Sequence, residues 1–262
     1  MYNCWKGGKY MGPIYEYIFS DLNLEDKLVL DAATGAGRAT RAWAEAIQFQ
    51  RARAKIISVD HDQPPEWVVQ LTDLLGDLAQ FVDFREADIF SLSLLPDQSV
   101  DIVNCDNTIV FLNPRPLRLL AAFQEFKRVL KPGGKLIVVS ELPVENSPEC
   151  RGQWQRWQLA KSIWALSGEV WAVEPLPEEV EAALMQMDFS VVAQQQFPGA
   201  RLCNFEGIVN EWRERMLDKI AGLPWSELRE PLRREVAAVC ARIETDGYLS
   251  APGRYVLKCV RQ

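Results

Sequence analysis

Histidine is almost missing: His61 is the single one in 262 residues. A site with two histidine ligands cannot be built from one copy of the chain, and any Ser-His-Asp arrangement would have to use His61. The six cysteines, at 4, 105, 150, 203, 240 and 259, show no CxxC and no paired spacing. That argues against a zinc or disulfide framework and fits a reducing cytoplasm. No apolar run approaches the roughly 18 residues that a membrane helix needs. The opening residues, Met1 to Lys9, lack an apolar segment of the secretory kind. A basic excess is missing too: Lys plus Arg is 29 and Asp plus Glu is 36, for a net charge of −7. This argues against a large nucleic-acid footprint. The chain shows no internal repeat, low-complexity tract or linker.

What is present is an ordinary globular mix, 48% apolar and 25% charged, in a chain long enough to bury a sizeable core without staples. Short Val- and Ile-rich runs alternate with helix-period segments. The pattern predicts a doubly wound, mostly parallel α/β sheet of seven strands covered on both faces. Expected strands are 27–31, 55–60, 81–85, 100–105, 135–140, 189–197 and 254–261. Expected helices include 11–22, one opened by Pro64-Pro65-Glu66, 116–130, 205–220 and 231–243. Lys131-Pro-Gly-Gly reads as a helix stop and turn. The simplest organisation is a single domain, with a core at 24–141 and helical insertions at 142–188 and 200–250 that cap an acceptor pocket.

The segment Leu28-Val-Leu-Asp31-Ala-Ala-Thr-Gly35-Ala-Gly37-Arg-Ala-Thr40 runs from a buried strand ending in a carboxylate, through a small-residue loop, into a helix. Gly35 and Gly37 allow positive φ and close approach of a ligand to the backbone. In a doubly wound sheet this is the crevice at the carboxyl ends of the strands. The spacing departs from the dinucleotide fingerprint, because Thr40 stands where that motif needs Gly or Ala. An acid at the loop favours a cationic ligand over a pyrophosphate. Asp60 ends the second strand, where an acid can accept from ribose hydroxyls. Asp88 follows the third strand and, with Ile89 beside it, suits an adenine amino group and ring face.

Together these residues resemble class I S-adenosylmethionine-dependent methyltransferases. Leu-Asp31-Ala-Ala-Thr-Gly35-Ala-Gly37 is similar to their first motif, Ser-Val-Asp60 to the ribose-binding second, and Glu-Ala-Asp88-Ile to the adenine-binding third. Asp101-Ile-Val-Asn-Cys105-Asp-Asn is similar to the fourth strand, whose end lines the methyl-donor pocket. Phe126-Lys-Arg-Val-Leu-Lys-Pro-Gly-Gly-Lys-Leu-Ile-Val-Val is similar to the helix, turn and fifth strand. The resemblance is close over 24–141 and looser to residue 262. It implies a Rossmann-like methyltransferase fold and S-adenosyl-L-methionine as cofactor. The cofactor-binding residues it implies are Asp31, Ala33, Thr34, Gly35, Gly37, Asp60, His61, Asp88, Ile89 and Cys105. The chain departs from the family at Ala33, where the first loop glycine is expected.

Blander roles stand beside these. Asp31 can cap the loop, Asp60 can cap a turn, and Trp154, Trp157 and Trp164, on one helical face, can be packing residues or an aromatic lid. A catalytic residue is not identified; base candidates are Asp106, Glu141, Tyr10 and Tyr15. The favoured activity is methyl transfer to a small or medium-sized organic acceptor, with no membrane partner. The alternatives are an NAD-dependent oxidoreductase and a non-catalytic S-adenosylmethionine-binding module.

Overall fold

A computed structural model describes residues 12–61, 64, 66–115 and 117–262. Met11, Pro65 and Pro116, the first two expected to open or join helices and the last to start one, lie outside them. Seven strands form one sheet: β1 Leu28–Ala32, β2 Lys55–Asp60, β3 Val82–Glu86, β4 Val100–Asp106, β5 Leu130–Glu141, β6 Phe189–Phe197 and β7 Arg254–Arg261. Their order is β3-β2-β1-β4-β5-β7-β6. The first five are mutually parallel, so their carboxyl ends share one rim. The chain reverses its progress across the sheet between β1 and β4, the place where such folds bind ligands.

The chain divides into two compact units. The sheet unit comprises the described residues up to Ser140, together with 175–197 and 255–262. It holds α1 Pro13–Phe19, α2 Arg38–Gln50, α3 Trp67–Leu75, α4 Ile109–Leu112, α5 Arg118–Val129 and α7 Pro177–Gln186. The helical unit comprises 141–174 and 198–254, with α6 Arg151–Leu166, α8 Glu206–Ala221 and α9 Ser226–Asp246. α7 therefore belongs with the sheet.

Strands β1, β2 and β4 read as near-continuous apolar runs because both faces are covered. Val29, Leu30, Ile56, Val59 and Val103 are fully buried. On one face α2 inserts Trp43 and Ile47 among Ile18, Leu24, Val29 and Ile56, with the Phe19 ring edge-on to Trp43 at 4.9 Å. Each such side chain contributes about 1.5–3 kcal/mol through burial. In the helical unit the expected periodicity is realised: Val209, Trp212, Met216 and Ile220 of α8 meet Val236, Val239 and Ile243 of α9 and Ile163 and Trp164 of α6.

Some local readings change. Lys131-Pro-Gly-Gly lies inside β5 as an irregularity: Val100 pairs with Leu130, and the next register pair is Ile102 with Lys135. Gly133, at φ 72°, absorbs the excursion. α9 begins at Ser226 and carries Pro231 in its interior, so proline does not mark its start. Cys105, Cys150, Cys240 and Cys259 are free thiols, whereas Cys203 is disulfide-bonded. This departs from the expectation of unpaired cysteines, because spacing along the chain does not report distance in the fold. Among the described residues, no helix is long and apolar enough to cross a membrane.

Candidate functional site

The loop after β1 is built from left-handed backbone. Ala33, Gly35 and Gly37 have φ of 63°, 52° and 75°. Gly37 is the N-cap of α2 and offers no side-chain cap to the first turn, leaving helix N–H groups for another partner. A Cβ on Gly37 would come within 2.6 Å of the Leu71 side chain, so glycine there lets α3 close against the loop. Gly35 has open space where a Cβ would stand. Its carbonyl accepts from the Trp67 indole at 3.1 Å, and Trp67 is held edge-on to Phe84. Ala33 adopts the left-handed region in spite of its Cβ, which costs about 1–2 kcal/mol.

Asp31, Asp60 and Asp88 all lie at the carboxyl ends of neighbouring strands, but their surroundings differ. Asp31 is 1% exposed, beneath the loop and not at its mouth. Its Oδ2 accepts from the Thr40 hydroxyl at 2.5 Å and its Oδ1 from the Asn104 amide at 2.8 Å. Burial pushes its carboxyl up to about 6, against the pull of these two donors. Strand register explains the partners: Ser58 of β2 and Asn104 of β4 stand directly beside Asp31 on either side. The Ser58 hydroxyl lies 2.6 Å from that of Thr34 and 3.0 Å from that of Thr40, and Thr34 donates to the Val59 carbonyl. One buried polar chain therefore links strand ends, loop and helix.

Asp60 is buried at the tip of β2. Its Oδ2 accepts from the Gly35 N–H at 2.6 Å and its Oδ1 from the His61 N–H at 2.8 Å. An ionised carboxylate has about four acceptor positions, so both oxygens keep capacity for a ligand hydroxyl. His61 is exposed. The segment after β3 is tied to the same place, since Ala87 N–H donates to the Asp60 carbonyl at 2.8 Å. Asp88 is exposed and shapes its own turn by accepting from Phe90 N–H. Ile89 beside it is buried. Cys105 is fully buried on β4, and burial pushes its thiol up to about 12. It is a neutral, fully buried side chain.

Of the base candidates, Tyr15 and Asp106 come together: the Tyr15 hydroxyl donates to Asp106 Oδ2 at 2.5 Å. Glu141 falls in the other unit, and Tyr10 lies outside the described residues. A depression of about 420 Å³ at α7 and β6, lined by Glu181, Met185 and Phe189 among others, contains none of the site residues. Thr40, Ser58, Asn104 and Trp67 are not among the site residues read from the sequence. Their signal was a polar residue in an otherwise apolar buried strand (Ser58 in KIISVD, Asn104 in DIVNCD) and the Thr that broke the dinucleotide spacing.

The comparisons agree with this geometry. Residues 30–138 match a methyltransferase domain family. Among solved structures, the chain superposes on a SAM-dependent methyltransferase from Methanosarcina mazei with a TM-score of 0.56 at 14% identity, over 96% of this chain and 98% of that one. Geranyl diphosphate methyltransferase in complex with SAM gives 0.54 at 13% identity, over 95% and 84%. The cyclase SpnF gives 0.55 at 18% identity, over 95% and 79%. At these identities the likeness concerns the fold. No curated protein sequence is significantly similar to the chain.

Proposed function

We propose that this chain, whose residues 30–138 match a methyltransferase domain family, is an S-adenosylmethionine-dependent methyltransferase that transfers a methyl group to a small or medium-sized organic acceptor by in-line displacement. The observation that carries the reading is the shared rim. Asp31, Asp60 and Asp88 close three adjacent parallel strands around a loop of left-handed backbone.

The residues fit the cofactor. Open space over Gly35 and the uncapped first turn of α2 leave room at the loop. Asp60 keeps acceptor capacity for ribose hydroxyls. Asp88 and Ile89 suit an adenine, with His61 on the adenosine side. Ala33, Thr34, Gly35 and Gly37 supply the close backbone, and Cys105 supplies a wall. Asp31 holds the loop from beneath and adds negative potential that favours a cation. When bound, S-adenosylmethionine supplies an electrophilic methyl group on a sulfonium. The protein's own work is to orient an acceptor, exclude water and take up a proton. Orientation of this kind is worth up to about 7–11 kcal/mol of barrier. Asp106, with its carboxylate held by Tyr15, is assigned the proton of a protonated acceptor. Asp106→Asn should then lower kcat while sparing cofactor affinity.

The partners in this reading are small molecules and not nucleic acid, supported by the net charge of −7. The hydride-transfer alternative loses ground because Thr40, which breaks the dinucleotide pattern, is committed to Asp31. Thermal shift separates the two: S-adenosylhomocysteine should raise Tm and NAD should not. Incorporation of label from methyl-labelled S-adenosylmethionine into a cell extract tests activity, and persistent absence would favour a non-catalytic binder.

A further inference from the structure

Helix α6 of the helical unit carries polar groups that the fold leaves without partners. Arg156 Nε and Trp157 Nε1 are shut off from solvent and have no hydrogen-bond acceptor among the described residues. Trp171 Nε1 is in the same condition, and its ring lies 4.6 Å from that of Trp157. Gln153 is 4% exposed and stands one turn before Arg156 and Trp157, a neighbour of both on the helix surface. Its Oε1 is unpaired as well. Arg156 itself is partly exposed, but its Nε is closed off with the indole donors, and a buried donor left without an acceptor is destabilising.

We propose that Arg156 and the indole N–H groups of Trp157 and Trp171 form a binding site for a small carboxylate carried on an apolar or aromatic body. A planar guanidinium recognises carboxylate oxygens as a fork, and indole rings suit an apolar or aromatic body. The charges around Arg156 select a single negative charge. Glu141 and Glu211 lie within electrostatic reach from the end of β5 and from α8, with the Cys240 thiol on α9, and burial holds the guanidinium down at about 10. A dianion would meet the field of both glutamates with one cation to offset it. The site lies wholly within the helical unit and does not depend on the methyl-transfer reading.

Calorimetry on the full chain tests it, with sodium benzoate, phenylacetate and hexanoate as probes and benzamide and inorganic phosphate as controls. At least one carboxylate should bind, and benzamide and phosphate at least tenfold more weakly. Arg156→Met should weaken the carboxylate at least tenfold and raise the unliganded Tm, since a closed-off donor without an acceptor has been removed. Arg156→Lys, which keeps charge but loses the fork, should bind several-fold more weakly than wild type and serves if the Met variant does not fold. No carboxylate binding, equal binding of benzamide or phosphate, or full carboxylate affinity in either variant would overturn the site. So would a lower Tm for Arg156→Met with affinity unchanged, the signature of a packing role.

Discussion

Two charged residues with closed-off polar atoms, one in each unit, are treated in opposite ways. Asp31 in the sheet unit has each oxygen engaged, by Thr40 and Asn104, and the network continues through Ser58 to Thr34. Arg156 in the helical unit has a buried Nε with no partner among the described residues, beside indoles in the same state. The Asp31 carboxylate is satisfied even though Asn104 Oδ1 has no partner among the described residues, and hydrogen bonds of this kind stiffen their surroundings. In the sheet unit the network holds the loop after β1 in one geometry, as the proposed cofactor site requires. Unsatisfied donors cost stability, and in α6 they cluster on neighbouring residues.

The contrast can be broken or sharpened by experiment. The largest effect expected is in the pH dependence of stability. The Asp31 carboxyl rises from 3.8 in the ordinary range to about 6 in the fold, so the folded state binds this proton more tightly than the unfolded chain. Its contribution is therefore most favourable below about pH 4, is lost as pH rises to about 6, and is flat above that. The shift corresponds to roughly 3 kcal/mol. Urea unfolding of wild type and Asp31→Asn should show the wild type losing about that much relative to the variant between these limits. A constant difference would mean that Asp31 is not desolvated.

Next in size, Asp60→Ala should weaken S-adenosylhomocysteine binding about 100-fold, or about 2.7 kcal/mol, with circular dichroism unchanged. Unchanged affinity in calorimetry removes Asp60 from the ribose assignment. Thr40→Val should cost about 2 kcal/mol in unfolding at neutral pH, because it leaves a buried carboxylate oxygen without its donor. A loss under 0.5 kcal/mol, on the same scale, would show that the network adapts around the gap. Smallest is Ala33→Gly. Relief of the left-handed penalty exceeds the backbone entropy of glycine by about 0.5–1 kcal/mol, so Tm should rise with cofactor affinity intact.

Much of the sheet unit was legible beforehand because its signals are local. Each strand is a buried apolar run, each ligand-side acid sits at a strand end, and Gly35 and Gly37 sit where the backbone turns left-handed. The functions of Thr40, Ser58 and Asn104 were not legible, since Asp31 meets them across strands β2 and β4 and from α2, at separations of 9 to 73 residues. Trp154, Trp157 and Trp164 could be placed on one helical face, but Trp171, which packs against Trp157 and Trp164, lies outside that helix.

The amino-acid sequence on its own determined the sheet and the acids at its carboxyl rim, because periodicity, turn chemistry and composition act over a few residues at a time. Tertiary structure alone decided that Asp31 is a buried strut beneath the loop, that Ala33 sits in the left-handed region, and that Arg156 Nε lacks a partner among the described residues. Desolvation, and which polar group meets which, depend on segments remote in the chain that only folding brings together.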